Sequence, residues 1–372
     1  MIFKASNKYN ALIYRIMRKI PNINKPQRFF FIEIMLLFLS IKGRFNFLQF
    51  GRYGKYTEQR YRQQFEKQFD FLKFNKELVL SHASSHLVIA FDPSYISKSG
   101  KKTPGVDKFW SGVAGQAKFG LEIGGIAAVD IDNKTALHLE AIQTPTYKDL
   151  EEKEMSLLDW YADVIISRKD NLLSMSKYLV AEAYFSKKPF ADKILGCGMQ
   201  LISRFRNDAD IMYLFKGNPT RKKGRPRKYS GKVNLKSIDK DYFDRIHKDG
   251  QSIIYSAIVY SKSLKRNIKL VYEQSIGKKN RSYLLFFSTD LNLDALDILR
   301  YYKNRFQIEF LYRDGKQHTW LNDCQARSAN KLYFQFNALL LDRFIDVFAI
   351  PAYKIKNTNH IRKLINFGKI AA

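Results

Sequence analysis

Hydrophobic positions change their period more than once along this chain. Up to about residue 80 they recur at helical spacing. Ala11–Ile20 and Phe29–Ile41 are apolar and helix-compatible, with Pro21 and Pro26 as punctuation. Thr57–Leu72 repeats Tyr61, Phe65, Phe69 and Leu72 at helical intervals and predicts one helix. Arg44, Arg52, Lys55, Arg60 and Arg62 cluster around Gly43, Gly51 and Gly54. Residues 1–80 therefore read in two ways. They form an all-α DNA-binding module of helix–turn–helix type, or a basic helical domain that packs on the rest of the chain.

From residue 81 to about 204 short apolar runs take over. Leu87–Phe91 ends in Asp92, and Gly120–Asp130 and Thr135–Gln143 follow as strands around an Asp132-Asn133 turn. Glu151–Ser167 predicts an amphipathic helix. Tyr178–Ala181 is a strand that ends at Glu182, Pro189–Leu195 a short helix and Met199–Arg204 a further strand. Three antiparallel strands, a helix, then strand–helix–strand is the order of a ribonuclease-H-like α/β domain with a mixed sheet. Residues 205–290 interrupt it with a β-rich insertion. That insertion holds a basic loop (Arg221, Lys222, Lys223, Arg225, Arg227, Lys228) and strand-like runs at Ser252–Tyr260, Lys269–Tyr272 and Tyr283–Ser288. Residues 291–350 return to the ribonuclease-H-like domain as helices. One runs Asn292–Lys316 with Asn292 as N-cap, and a second covers Leu332–Phe348. Residues 351–372 are a basic tail.

Charge narrows the class of partner. Lys and Arg number 64 against 35 Asp and Glu, a net +29. Codon bias in an AT-rich genome can enrich Lys, but it does not also suppress acids. The balance therefore points to a polyanion, with double-stranded DNA first. A membrane is disfavoured: the longest apolar run, Phe29–Ile41, is too short to span and contains Glu33. The N-terminus has no apolar core segment, which predicts a cytoplasmic, nucleoid-associated protein. Cys197 and Cys324 lack metal-ligand spacing, and no phosphate-binding glycine loop of the GxxxxGK[ST] type is present, so no small-molecule cofactor is expected.

The chemistry-bearing residues sit late in the chain. Tyr302, Arg305, Glu309 and Lys316 are spaced Y-x2-R-x3-E-x6-K. On a continuous helix the last three fall roughly 60°, 20° and 40° to the same side of Tyr302. One reading is an Arg305–Glu309 salt bridge on a solvated face. The other is a carboxylate that holds a divalent ion, between cations and a hydroxyl that grip phosphates. Asp92 and Glu182 end two buried strand runs, as converging metal-ligand carboxylates require. Asp192, ten residues past Glu182 in the next helix, is a poor substitute, and Asp130 and Asp132 read as solvated turn acids.

This spacing resembles the YREK signature of bacterial insertion-sequence transposases that cut and paste DNA through a DDE carboxylate triad. FDPSYISKSGKKTPGVDKFWSG resembles the segment around that group's first catalytic Asp, and AEAYFSKKPF the segment around its second. The resemblance implies a triad of Asp92, Glu182 and Glu309 that holds two Mg²⁺ or Mn²⁺ ions. It implies DNA contacts by Tyr302, Arg305 and Lys316, binding of terminal inverted repeats, a hairpin intermediate and a homodimer in the DNA complex. Relatives stack an insertion aromatic, often Trp, on a flipped base. Here Trp110, Trp160 and Trp320 all lie outside the insertion, which leaves Tyr242, Phe243, Tyr255 or Tyr260 for that role. One position departs from the group: its second block carries Asp where this chain has Glu182. If the extra methylene misplaces the ion, Glu182→Asp raises cleavage; if the glutamate is an adapted ligand, the change lowers it. The alternative function is a catalytically inactive, transposase-derived DNA-binding protein.

Overall fold

Side-chain caps set where the N-terminal helices begin. In the computed structural model, which describes residues 2–21, 23–41, 45–100, 102–217, 226–276 and 282–349, α1 spans Ile2–Arg18 and α2 Lys25–Ser40. The Asn24 side chain accepts from the Gln27 N–H, and the Gln27 side chain accepts from the Asn24 N–H, a reciprocal box that opens α2. α3 (Phe47–Tyr53) starts at Asn46, α4 (Glu58–Phe65) at Thr57 and α5 (Phe71–His82) at Asp70, whose side chain accepts from the Lys73 N–H. The single helix expected over Thr57–Leu72 is therefore two. The Asp70 cap restarts the helix, and Phe69 lies outside both, stacked on Phe31 with ring centroids 4.2 Å apart.

The chain divides into two compact units. Unit 1 takes in Met1–His86, Phe91–Met155 and Gln307–Ala372; unit 2 takes in Leu87–Ala90 and Ser156–Phe306. In unit 1, α1–α5 are followed by β1 (Leu87–Ile96, of which Phe91–Ile96 belong here), β2 (Asp107–Ser111), β3 (Gln116–Asp130), β4 (Thr135–Gln143) and α6 (Tyr147–Glu152). β2, β3 and β4 pair antiparallel, and β3 also neighbours β1. β3 is buried continuously from Gly120 to Asp130, and the helix Gln307–His318 packs on it.

Unit 2 opens with α7 (Leu157–Ile166), α8 (Lys169–Leu173), β5 (Tyr178–Ala181), α9 (Lys188–Gly196) and β6 (Gln200–Phe205). β5 and β6 pair in parallel, the relation that a strand–helix–strand crossover produces. β7 (Ile211–Leu214), β8 (Tyr229–Lys232), β9 (Asp244–Lys248), β10 (Ser252–Ser261), β11 (Arg266–Ser275) and β12 (Tyr283–Ser288) follow. They extend the sheet in the order β5–β6–β12–β11–β10–β7–β8, with β9 on β10 and every added pair antiparallel. The residues read as a β-rich insertion thus continue the same sheet. α10 (Ala295–Arg305) packs on β5, β6, β11 and β12.

The chain then returns to unit 1 with α11 (Gln307–His318) and α12 (Ala329–Ala349). α12 packs on α1, α2, α4, α5 and β4, and its Phe334 ring sits 4.5 Å from Phe65 and 5.4 Å from Phe71. Much of the phenylalanine content is spent in this aromatic core. Asn337 pins α12 to β4: its Oδ1 accepts from the Ala141 N–H at 2.7 Å, and its Nδ2 donates to Ala141 O at 2.9 Å. The one helix expected over Asn292–Lys316 is corrected to α10 and α11. The N-cap is Asp294, not Asn292, and the Phe306 N–H bonds Asn304 O where α10 ends. The basic tail and Arg44 lie outside the described residues. Asp130, expected as a solvated turn acid, is 1% exposed. It accepts from the N–H and hydroxyl of Ser84 and from both nitrogens of Asn133.

Candidate active site

In unit 1, β1 and α11 assemble one group of chemistry-bearing residues. Asp92 is half-buried on β1. The Tyr312 hydroxyl donates to the Asp92 carbonyl at 3.1 Å. Burial, then the Asp92 and Glu122 charges, hold the Tyr312 phenol well above its usual pKa. Glu309, Tyr312 and Lys316 lie at i, i+3 and i+7 of α11, on one side of the helix. Lys316 Nζ donates to Ser94 Oγ at 2.9 Å; burial lowers the Lys316 pKa, and the Asp92 charge opposes that shift. The helix stripe that carries Glu309 is thus applied to the strand that carries Asp92. This approach needs Gly125 on β3, where an added Cβ would sit 1.2 Å from the Tyr312 oxygen.

In unit 2 a second group forms around Glu182, which follows β5. Ser203 Oγ and the Phe185 N–H hold its backbone carbonyl, each at 2.9 Å. Its side-chain Oε1 accepts from Arg305 NH2 at 3.0 Å. The Arg305 side chain is 6% exposed and that of Glu182 48%. Arg305 also lies over the Tyr302 ring, 5.6 Å from its centroid, and Tyr302 packs on Phe286 at 5.1 Å. Burial raises the Tyr302 pKa; the Arg305 and Arg204 charges oppose the shift, and that of Glu182 adds to it.

The Transposase DDE domain family matches residues 153–342, just over half of the chain. The chain belongs to that family. The match spans Glu182, the basic loop, Tyr302, Arg305, Glu309 and Lys316, while Asp92 lies ahead of it. No curated protein matches the chain. Membership of a DDE transposase family makes the chain a transposase of the polynucleotidyl-transferase type, with DNA as substrate and divalent metal ions as the family's usual helpers. The mixed α/β architecture agrees with a ribonuclease-H-like transposase domain. Among the described residues no helix is long and apolar enough to cross a membrane.

The donor chemistry suits a hard divalent cation, since Asp92, Glu182 and Glu309 all offer carboxylate oxygens. Among the described residues, no group of three or more His, Cys, Asp or Glu side chains is placed to hold a metal ion. Asp192 is engaged by Lys188 and Arg266. Arg221, Lys222, Lys223 and Arg225 lie outside the described residues. Arg227 donates to the carbonyls of Tyr229 and Ser230, and Lys228 is exposed.

Sequence reasoning passed over Tyr312, Ser94, Glu122 and Arg204. Glu122 is 6% exposed and accepts from Thr144 Oγ1 at 2.9 Å. One signal was present: the Gly124-Gly125 pair inside a strand pattern marks a close approach by another element. That element is α11, through Tyr312.

Proposed function

We propose that this family member is a cut-and-paste DNA transposase of the YREK group, with Asp92, Glu182 and Glu309 as its acids. On this reading it works as a homodimer on the terminal inverted repeats of its element, in the cytoplasm on the nucleoid. The observation that carries the proposal is the Glu309–Tyr312–Lys316 face of α11, held against Asp92 and Ser94 on β1, in a chain whose DDE-domain match includes Glu182 and Glu309.

The chemistry divides among this chain's own residues. Asp92, Glu182 and Glu309 would hold Mg²⁺ or Mn²⁺, which when bound activates the attacking oxygen and stabilises the leaving one. Water attacks a phosphorus at the transposon end, and the P–O3′ bond breaks to leave a 3′-hydroxyl and a 5′-phosphate. That hydroxyl then attacks the opposite-strand phosphodiester at the transposon end, which closes a hairpin and releases the flanking strand's 3′-oxygen as a hydroxyl. Water reopens the hairpin and restores the transposon 3′-hydroxyl, which attacks a target phosphodiester and displaces a target 3′-oxygen. Lys316, fixed on Ser94, keeps a cation beside Asp92. Arg305, being buried on Glu182, orients that acid and the Tyr302 ring rather than gripping DNA at the surface. The experiment is Mg²⁺- or Mn²⁺-dependent cleavage of a labelled duplex taken from the DNA that flanks the gene.

One observation favours a second reading. Glu182 replaces the group's Asp, and its carboxylate is engaged by Arg305. A non-catalytic DNA-binding descendant would keep that pair as structure. It would bind the same duplex and leave it intact with either ion.

A further inference from the structure

Beyond the acids, unit 1 contains an open pocket of about 660 Å³ between the loop that follows β1 and the short turn Leu321–Asp323 with the residues after it. We propose that this pocket is a phosphate-binding site that takes a phosphate group of DNA. The choice of DNA as the source of the phosphate rests on the transposase reading above.

Three cations face the pocket, Lys98, Lys102 and Arg327, against one acid, Asp323. Among the described residues neither Lys102 nor Arg327 is in an ion pair. Lys98 is half-buried and donates to the Cys324 carbonyl, which leaves two further N–H donors on the ammonium. Burial lowers the Lys98 pKa; the Cys324 thiol opposes that shift, and the neighbouring Arg327 charge adds to it. Two cations close enough to repel each other make a site that an anion relieves.

The walls are built rather than loose. The Ser97 N–H donates to Asn322 Oδ1 at 3.3 Å and ties the two walls together. Trp320 sits at φ 60°, a left-handed conformation that starts the turn presenting Asn322. Gly100, at φ +119°, lets the opposite loop fold back so that the Thr103 N–H bonds the Gly100 carbonyl at 3.0 Å. The Ser97, Ser99 and Thr103 hydroxyls complete the lining. Cations, hydroxyls and amide groups are the donor set that proteins turn to phosphate oxygens. A carboxylate ligand offers fewer acceptors than this set supplies donors.

The test compares the full chain with Lys98→Gln, Arg327→Gln and the double variant. The double variant should show a log K against log salt slope for duplex DNA shallower by about 1, from roughly 0.9 for the one lost phosphate contact. Lys98→Arg should retain the wild-type slope. Inorganic phosphate, added at constant ionic strength, should raise the melting temperature of the wild type but not of the double variant if the site also takes the free anion. A change in the DNA slope without that effect assigns the site to backbone phosphate, and either result supports the proposal. If the double variant fails to fold, the exposed Arg327→Gln change carries the test, with a loss of up to about 1 in slope. An unchanged DNA slope together with unchanged phosphate stabilisation overturns the proposal. If the wild type binds no DNA, yet phosphate stabilises it through Lys98 and Arg327, the pocket stands and the transposase reading falls.

Discussion

The guanidinium of Arg305, almost wholly buried, donates to Glu182 Oε1 at 3.0 Å. A cation read from the sequence as a phosphate grip is committed to an acid more than a hundred residues earlier in the chain. Two consequences separate these roles. Arg305→Ala should lower stability by about 1–3 kcal/mol, since it deprives a partly buried carboxylate of its partner. It should also cut strand cleavage while leaving the salt dependence of DNA binding unchanged. Urea unfolding and a salt titration of affinity check both; a shallower salt slope would return Arg305 to the phosphate-gripping role.

The same pair sets the expectation for Glu182→Asp. Arg305 is fixed by its packing on Tyr302, and the glutamate is the side chain that reaches it. Shortening the acid by one methylene loosens that contact and shifts the carboxylate. Cleavage should therefore fall about tenfold or more, while DNA affinity, which barely senses a swap of equal charge, stays within about twofold. Single-turnover cleavage beside a binding isotherm measures both. A faster aspartate variant would mean that the glutamate is a misplaced ligand instead.

Gly125 and Tyr312 give a packing prediction. Gly125→Ala places a methyl where the Tyr312 hydroxyl now sits. It should cost about 1–3 kcal/mol through overpacking and displace α11 from β1. Tyr312→Phe removes the bond to the Asp92 carbonyl at about 0.5–1.5 kcal/mol. It also vacates the oxygen's volume, so the double variant should be more stable than the sum of the singles predicts. Additive losses in a double-mutant cycle would show that the two positions do not meet.

Several strands were legible because their apolar runs are short and sharply bounded. Thr135–Gln143, Tyr178–Ala181 and Tyr283–Ser288 appear with the expected limits. Helix continuity was less legible. Caps at Asp70 and Asp294 decide where helices start, and the aromatic period through Phe69 ran past a real break because that ring is used in stacking rather than on a helix face. Residue type and spacing singled out Asp92, Glu182, Glu309 and Lys316 as candidates. What each touches depends on contacts distant in sequence, such as Lys316 with Ser94 and Arg305 with Glu182. Periodicity carries no record of such contacts. Buried polar positions such as Asp130 and His138 were invisible for the same reason.

His138 supplies a pH prediction. Its ring is buried on β4, and Nε2 lies 3.1 Å from Asn337 Oδ1, an oxygen that can only accept, so the neutral ring carries its proton on Nε2. Burial pulls its pKa from 6.5 down to about 4, against the smaller opposing effect of the Asn337 bond. The folded value is depressed, so the unfolded chain binds the extra proton first as pH falls. The stability contributed by the neutral ring is complete above about 6.5 and is lost as pH falls through about 4. The loss amounts to about 3 kcal/mol. His138→Gln should flatten the stability profile across that window, as measured by urea unfolding at a series of pH values. An equally steep profile in the variant would assign the acid sensitivity to other groups.

The central claim is that this chain cuts DNA with Asp92, Glu182 and Glu309. Single-turnover cleavage of a labelled duplex from the element's flanking DNA, with Mg²⁺ or Mn²⁺, tests it most directly when wild type is run beside Asp92→Asn and Glu309→Gln. The account predicts strand scission by the wild type and a loss of at least a hundredfold in each variant, with duplex affinity retained. Cleavage by Glu309→Gln at the wild-type rate, or binding without cleavage by the wild type with either ion, would contradict it.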